Sequence, residues 1–523
     1  MQMVPVARPA VPSLRQAEAF VLVAATLAFL AAGVALRSAG LGTEPLWLDE
    51  AYSAYAADKG WHFLWQVVPQ YEAHPPFYYS LLHLWDALAG ETLTARRMLG
   101  LLCGIATVAL TGTAAGLVAV RRPARVVAGA VALAALHPLL IAMSREVRPY
   151  PVMTLVYAAG IIALLRLCVD SAAGRPLARR AIAAFFVAQA LMLWLHDIGP
   201  FFGLAMSFAL LAGVTRPGLI RRDWAWLAGG QLLVGLSYIP ALLITLKQAA
   251  GWVHSTWVRF DPNALPLDIG IVYWNWNLVA RLAGMALAIG GAVLLASRSS
   301  KDARVAIALL TLAVVPVALS IAASAAIAPV FLARTLSPTA IPATLLCAAA
   351  LDARGRWRSA VTAALVVLVL TPAAAQDVAA MRAGPRQDWY GALRWLAQRV
   401  HPGDAVWTYP NDGALPLGYA LRDKGLRMAI RPIPAPVPAL GFRGTHPTGT
   451  MGVIALDPRD LARLAAQPSA RPMHSIWLVQ VFGPLYDPDR SLARELARSR
   501  PVIGRWRNKG IEITGFGARR RTP

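Results

Sequence analysis

Eleven apolar runs of membrane-spanning length dominate this chain, beginning near residues 19, 98, 124, 150, 181, 198, 225, 277, 305, 338 and 359. A bilayer core about 30 Å thick is crossed by about 20 apolar residues in helical form. Lipid offers backbone amides no partner, so such runs must satisfy their own hydrogen bonds as helices. The expected fold class is therefore an α-helical polytopic membrane protein. Only 15% of the 523 residues are charged, against about a quarter in soluble domains. Arg8 and Arg15 precede the first run as they would in a signal peptide, but the spans that follow favour an uncleaved anchor.

A twelfth stretch, Phe77–Ala89, is too short to cross and carries His83 and Asp86. It is expected to lie along the interface. Arg8 and Arg15 then share one side of the membrane with five basic clusters. These are Arg121, Arg122 and Arg125; Arg175, Arg179 and Arg180; Arg216, Arg221 and Arg222; Arg298, Lys301 and Arg304; and Arg354, Arg356 and Arg358. Cytoplasmic loops gather such residues, so the N-terminus is expected inside and the C-terminus outside. The same rule accounts for the net charge of +23. No helix-turn-helix, zinc-finger or RRM pattern accompanies that charge, so no nucleic-acid partner is expected. Cys103, Cys168 and Cys347 lie in apolar runs without metal-ligand spacing and read as core residues.

Residues 1–375 form the expected membrane domain, with an external loop at 43–97. Residues 376–523 form a soluble α/β domain. Its expected helices are Trp389–Val400, Pro458–Gln467 and Asp489–Arg498. Its expected strands are Ala405–Tyr409, Met451–Leu456 and Ser475–Phe482. It contains no glycine-rich phosphate loop, and no catalytic residue is assigned to it.

The chemistry is sought in the external loops. Asp49 and Glu50 follow the first span amid aromatic and aliphatic residues, where partial burial suits a carboxylate to accept a proton. His74 stands before Pro75-Pro76, with Tyr78 just beyond. The prolines read as a helix start. Glu146, Arg148 and Tyr150 fall in a short loop between spans. Arg148, Lys247 and Arg334 are cations on the side that the positive-inside rule disfavours, and an arginine fork matches phosphate oxygens. The external tryptophans read chiefly as an interface belt.

Four marks in order resemble a bacterial member of glycosyltransferase family 39, which includes protein O-mannosyltransferases and is related to lipid A aminoarabinose transferases. They are Trp47-Leu48-Asp49-Glu50, His74-Pro75-Pro76-Phe77-Tyr78-Tyr79, Ser144-Arg145-Glu146-Val147-Arg148-Pro149-Tyr150 and Arg334-Thr335-Leu336-Ser337-Pro338. Arg386-Gln387-Asp388-Trp389 resembles the start of the soluble domain in many bacterial members. The resemblance implies a GT-C fold in the bacterial inner membrane, with the C-terminal domain periplasmic. It implies sugar transfer from a polyprenyl-phosphate donor to a protein, lipid or glycan acceptor. Asp49 is the implied catalytic acid, with Glu50 adjacent and Glu146 a second acid. Arg148, Arg334 or Lys247 is expected to stabilise the departing phosphate, and His74, Tyr78 and Tyr150 to line the substrate site. No cofactor is required by this chemistry. A divalent metal is an alternative source of positive charge, but one Asp-Glu pair is a thin site, so no metal ligand is assigned. The rival readings are a flippase for lipid-linked sugars and a non-catalytic envelope scaffold. Convergence of Asp49, Glu146 and Arg334 on one cavity separates the enzyme from both.

Overall fold

Helices form where the apolar runs stand. The computed structural model describes residues 14–72, 74–216, 219–255, 258–440, 456–466, 474–483, 487 and 489–518. The long helices are α1 (Leu14–Ser38), α4 (Leu93–Val118), α7 (Tyr150–Ala172), α10 (Arg221–Ser255), α12 (Leu278–Ala296), α13 (Ser300–Ala326) and α15 (Arg356–Arg382). Between them lie α2 (Leu48–Asp58), α3 (Phe77–Ala89), α5 (Pro123–Ala135), α6 (Pro138–Ser144), α8 (Arg179–Leu195), α9 (Gly199–Val214), α11 (Leu265–Tyr273) and α14 (Ala340–Ala349). Among the described residues, eight segments are individually long and apolar enough to cross a membrane, α14 counting with its preceding turn from Ala333. The α5–α6 pair, bent by 58°, makes a ninth. The helices α8 and α9 stand at the two remaining expected places but are only 17 and 16 residues long. This is a multi-pass membrane protein. With 13 residues, α3 rises about 20 Å, short of a crossing.

The break between α5 and α6 has a local cause and a local remedy. Pro138 has no N–H to continue the ladder, which leaves the last carbonyls of α5 open. Arg37 of α1 is buried beside them and donates to Ala135 O at 2.6 Å and Ala134 O at 3.1 Å. At the arginine-rich end of the bundle, buried Asp352 accepts the backbone N–H groups of Val120 and Arg121 and pairs with Arg298 at 2.8 Å. The opposite loops bond one another in the same way, as the site shows below. The two sets expected on opposite sides of the membrane are thus each held together internally.

The α15 helix runs directly into the soluble domain. There β1 (Ala405–Thr408), β2 (Ile430–Pro432), β3 (Ile476–Val481), β4 (Val502–Asn508) and β5 (Ile511–Phe516) form one sheet in the order β2-β1-β3-β5-β4. Strand β1 is parallel to β2 and β3, whereas β5 is antiparallel to β3 and β4. Strand β3 is buried throughout. Its Trp477, Val479 and Val481 meet α16 (Trp389–Ala397) and α17 (Ala414–Asp423) on one face. Its Ile476 and Leu478 meet α18 (Pro458–Ala466) and α19 (Ser491–Ser499) on the other. This is the period-2 alternation of a central strand. The expected strand at Met451–Leu456 lies outside the described residues except at Leu456. Strands β2, β4 and β5 and helix α17 are additions to the sequence reading.

Candidate active site

The site is built on the first turn of α2. Glu50, its third residue, accepts the Trp47 backbone N–H at 3.3 Å, half of a capping box. Arg97 grips the same carboxylate with a fork, Nε to Oε1 at 3.0 Å and Nη2 to Oε2 at 2.7 Å. Val147 N–H adds a fourth bond at 3.0 Å. Glu50 is thereby buried and fully engaged, and it does not line the cavity. One residue earlier on the helix, Asp49 turns the other way. Its Oδ2 meets Arg334 Nη2 at 3.1 Å, and its backbone oxygen lies 3.4 Å from Arg148 Nη1.

Asp49 lines a small cavity with His74, Arg148, Tyr150, His196, Asp197, Arg334 and Thr335. Five of the sequence-expected residues therefore share one space: Asp49, His74, Arg148, Tyr150 and Arg334. Glu146 does not line it, so of the three residues expected to converge only Asp49 and Arg334 do; Glu146 is paired with Arg386 of the soluble domain at 3.0 Å. The Arg386 guanidinium lies 4.2 Å from the Trp47 ring centroid, and that of Arg334 lies 5.4 Å from it. Burial pushes the Glu146 carboxyl up to about 7 against the pull of Arg386. Tyr78 is buried in the helix core beside Tyr79 and lines no part of the cavity. Lys247 is exposed on α10 and is not brought there either.

The residues that sequence reading passed over are His196 and Asp197. They come from the turn between α8 and α9, 122 positions from His74. His74 Nδ1 is held by Glu72 at 2.6 Å, which aims Nε2 at His196 Nε2, 3.3 Å away, and at Asp197 Oδ1, 3.6 Å away. Burial alone would lower the His74 pKa, but Asp197 and Glu72 outweigh it and hold it above its ordinary value. Burial lowers His196 to about 4. Burial would raise the Asp197 pKa, yet the two imidazoles hold it well below the usual carboxylate range. Two imidazoles and a carboxylate are a donor set for a zinc-type ion with an open fourth position. The three ligand atoms lie within 4.8 Å of one another, and Asp197 also pairs with His196 Nδ1. The sequence signal was two titratable residues, His196 and Asp197, in the three-residue turn between apolar helices.

The soluble domain packs against the helix that carries Asp49. Gln387 Oε1 accepts the N–H of Leu48 at 3.0 Å and the Trp389 indole N–H at 2.9 Å. Tyr55 donates to Val437 O at 2.7 Å, and Tyr419 to Asp58 at 2.6 Å. The turn Asn411–Gly413 rests against α2. In it Asp412 is buried, and its Oδ1 has no hydrogen-bond partner among the described residues. Burial pushes its carboxyl up to about 7, and Asp49 adds to the effect.

No protein-family model and no curated protein sequence matches this chain. Solved structures do match. ArnT from Cupriavidus metallidurans bound to undecaprenyl phosphate aligns over 95% of this chain and 98% of its own, with TM-score 0.58 and 16% identity. The oligosaccharyltransferase AglB from Archaeoglobus fulgidus, in complex with an inhibitory peptide and a dolichol-phosphate, aligns over 97% and 75%, with TM-score 0.55 and 12% identity. An Archaeoglobus fulgidus oligosaccharyltransferase in a complex with Zn and sulfate aligns over 95% and 73%, with TM-score 0.52 and 13% identity. Near-complete coverage through both the helical bundle and the soluble domain shows that this chain has the GT-C membrane fold.

Proposed function

We propose that this protein is an integral membrane glycosyltransferase. It moves a sugar from a polyprenyl-phosphate donor to an acceptor on a protein, lipid or glycan. The observation that carries the reading is the Asp49–Arg334 pair at 3.1 Å inside a cavity that also holds Arg148. An acid able to accept a proton and two cations able to receive a phosphate stand within one small space. Supporting it, one GT-C neighbour was solved with undecaprenyl phosphate and another with dolichol-phosphate. A flippase or scaffold has no use for a base and phosphate cations in contact.

The reaction is a single inverting displacement. The acceptor oxygen or nitrogen attacks the anomeric carbon while Asp49 takes its proton. The bond from that carbon to the phosphate oxygen breaks, and the phosphate leaves with the electron pair. Arg334 and Arg148 neutralise the charge that develops on it. Glu50 and Glu146 act as positioning residues, fixing α2 and Arg386 respectively. A divalent ion held by His74, His196 and Asp197 would add positive charge beside the phosphate. The site faces the periplasm of a bacterial inner membrane, with the N-terminus cytoplasmic.

The test is transfer by the purified protein from a panel of polyprenyl-phosphate sugars, run beside a translocation assay in sealed vesicles. Release of polyprenyl phosphate with a glycosylated acceptor supports the proposal. Movement of intact lipid-linked sugar without its cleavage removes it.

A further inference from the structure

A second feature shares no residue with the cavity at Asp49. Helices α8 and α10 enclose a groove of ≈ 840 Å³. Its walls are apolar, including Phe186, Val187 and Leu233, and its mouth carries Arg179 and Arg222. Both arginines stand in the first turn of their helices and are exposed. The Arg179 guanidinium lies 5.6 Å from the centroid of Trp226, which is itself 47% exposed. Arg222 Nε is 3.6 Å from Asp223. At the other end, Trp194 donates its indole N–H to Ser237 O at 3.0 Å, tying α8 to α10 where the groove stops.

Its length selects the occupant. From Arg222 to Ser237 the helix rises about 22 Å. One leaflet with its headgroups measures about 20–22 Å. Two glycines make the room. A side chain at Gly230 would collide with the Phe186 ring, whereas a side chain at Gly229 would meet nothing within 4 Å. The groove is thus open, apolar, one leaflet deep and cationic only at its mouth.

We infer that this groove is a binding site for one anionic phospholipid, its phosphate at Arg179 and Arg222 and its acyl chains between α8 and α10. Arginine forks match phosphate oxygens, and basic pockets between membrane helices on the cytoplasmic side recognise anionic headgroups. Arg180 and Arg221, next in sequence, reinforce the charge. The donor's phosphate belongs beyond the opposite end of α8, at Arg334 and Arg148, so these two arginines serve a different lipid. The bound lipid wedges α8, whose last turn leads into His196 and Asp197.

The test uses the full-length protein reconstituted with equal phosphatidylglycerol and phosphatidylethanolamine, then extracted and weighed by native mass spectrometry. The wild type is expected to retain phosphatidylglycerol preferentially, by about fivefold for each arginine. The Arg179→Gln/Arg222→Gln pair is expected to erase that preference. Gly229→Leu, which adds an apolar side chain where a Cβ meets nothing within 4 Å, is expected to obstruct the groove and lose most of the lipid. Equal retention of both lipids by the wild type would overturn the site. So would full retention of phosphatidylglycerol by Gly229→Leu, which decides the matter even if the double variant fails to fold.

Discussion

Two adjacent carboxylates show how residue environment divides roles. Asp49 and Glu50 are neighbours on one helical turn, yet only Asp49 faces the cavity, whereas Glu50 is locked by Arg97 and Val147. A Glu50→Gln variant leaves the buried Arg97 charge without its partner, which costs about 3–5 kcal/mol. It is expected to lower the melting temperature of the detergent-solubilised protein, so its defect reads as folding before chemistry. Asp412 gives the converse case. Its folded pKa of about 7 lies above the value of 3.8 for an unperturbed aspartate. A group raised on folding supports stability below the unfolded pKa and loses that support as pH rises through the folded one. The wild type is therefore expected to lose stability between about pH 4 and pH 7, by at most about 4 kcal/mol from this group. Asp412→Asn is expected to flatten that part of a melting curve series taken against pH.

The elements carry the site through close packing. Gly291 on α12 lies so near α14 that an added Cβ would stand 1.8 Å from Leu346 O, which is backbone and cannot step aside. Membrane helices approach through such small residues. Gly291→Ala is expected to push α12 from α14 and destabilise by about 1–3 kcal/mol, visible as a lower melting temperature with an unchanged sequence of spans. Most of the bundle was legible because apolar runs and arginine clusters are local signals. The bend at Pro138 and the short α8 and α9 were not, since a run's length does not say where its helix breaks. In the soluble domain, β4 escapes reading because most of its residues are exposed, so its pattern shows no buried face. The hairpin to β5 left a clearer mark, Lys509-Gly510, both at positive φ, the requirement of a two-residue turn. Asp49, His74, Arg148, Tyr150 and Arg334 could be named from order and context. His196 and Asp197 could not, because their meeting with His74 is a property of the folded bundle alone.

Across the whole molecule, the arginine-rich loops bond one another at one end, and the loops of the candidate site bond the soluble domain at the other. The proposed orientation puts the second end in the periplasm. All three native cysteines are buried, so single added cysteines report sidedness without background. Arg498→Cys is expected to react with a membrane-impermeant maleimide from outside intact inner-membrane spheroplasts, and Arg354→Cys only after lysis. The reverse pattern would place the site in the cytoplasm. The central claim is that Asp49 takes the acceptor's proton as sugar leaves a polyprenyl phosphate. Its most direct measurement is single-turnover release of polyprenyl phosphate from a labelled polyprenyl-phosphate sugar by wild type and Asp49→Asn in the same vesicles. The account predicts a loss of about 10²–10⁴-fold in a variant that inserts and melts like the wild type. Turnover by that variant within a few-fold of wild type would contradict it.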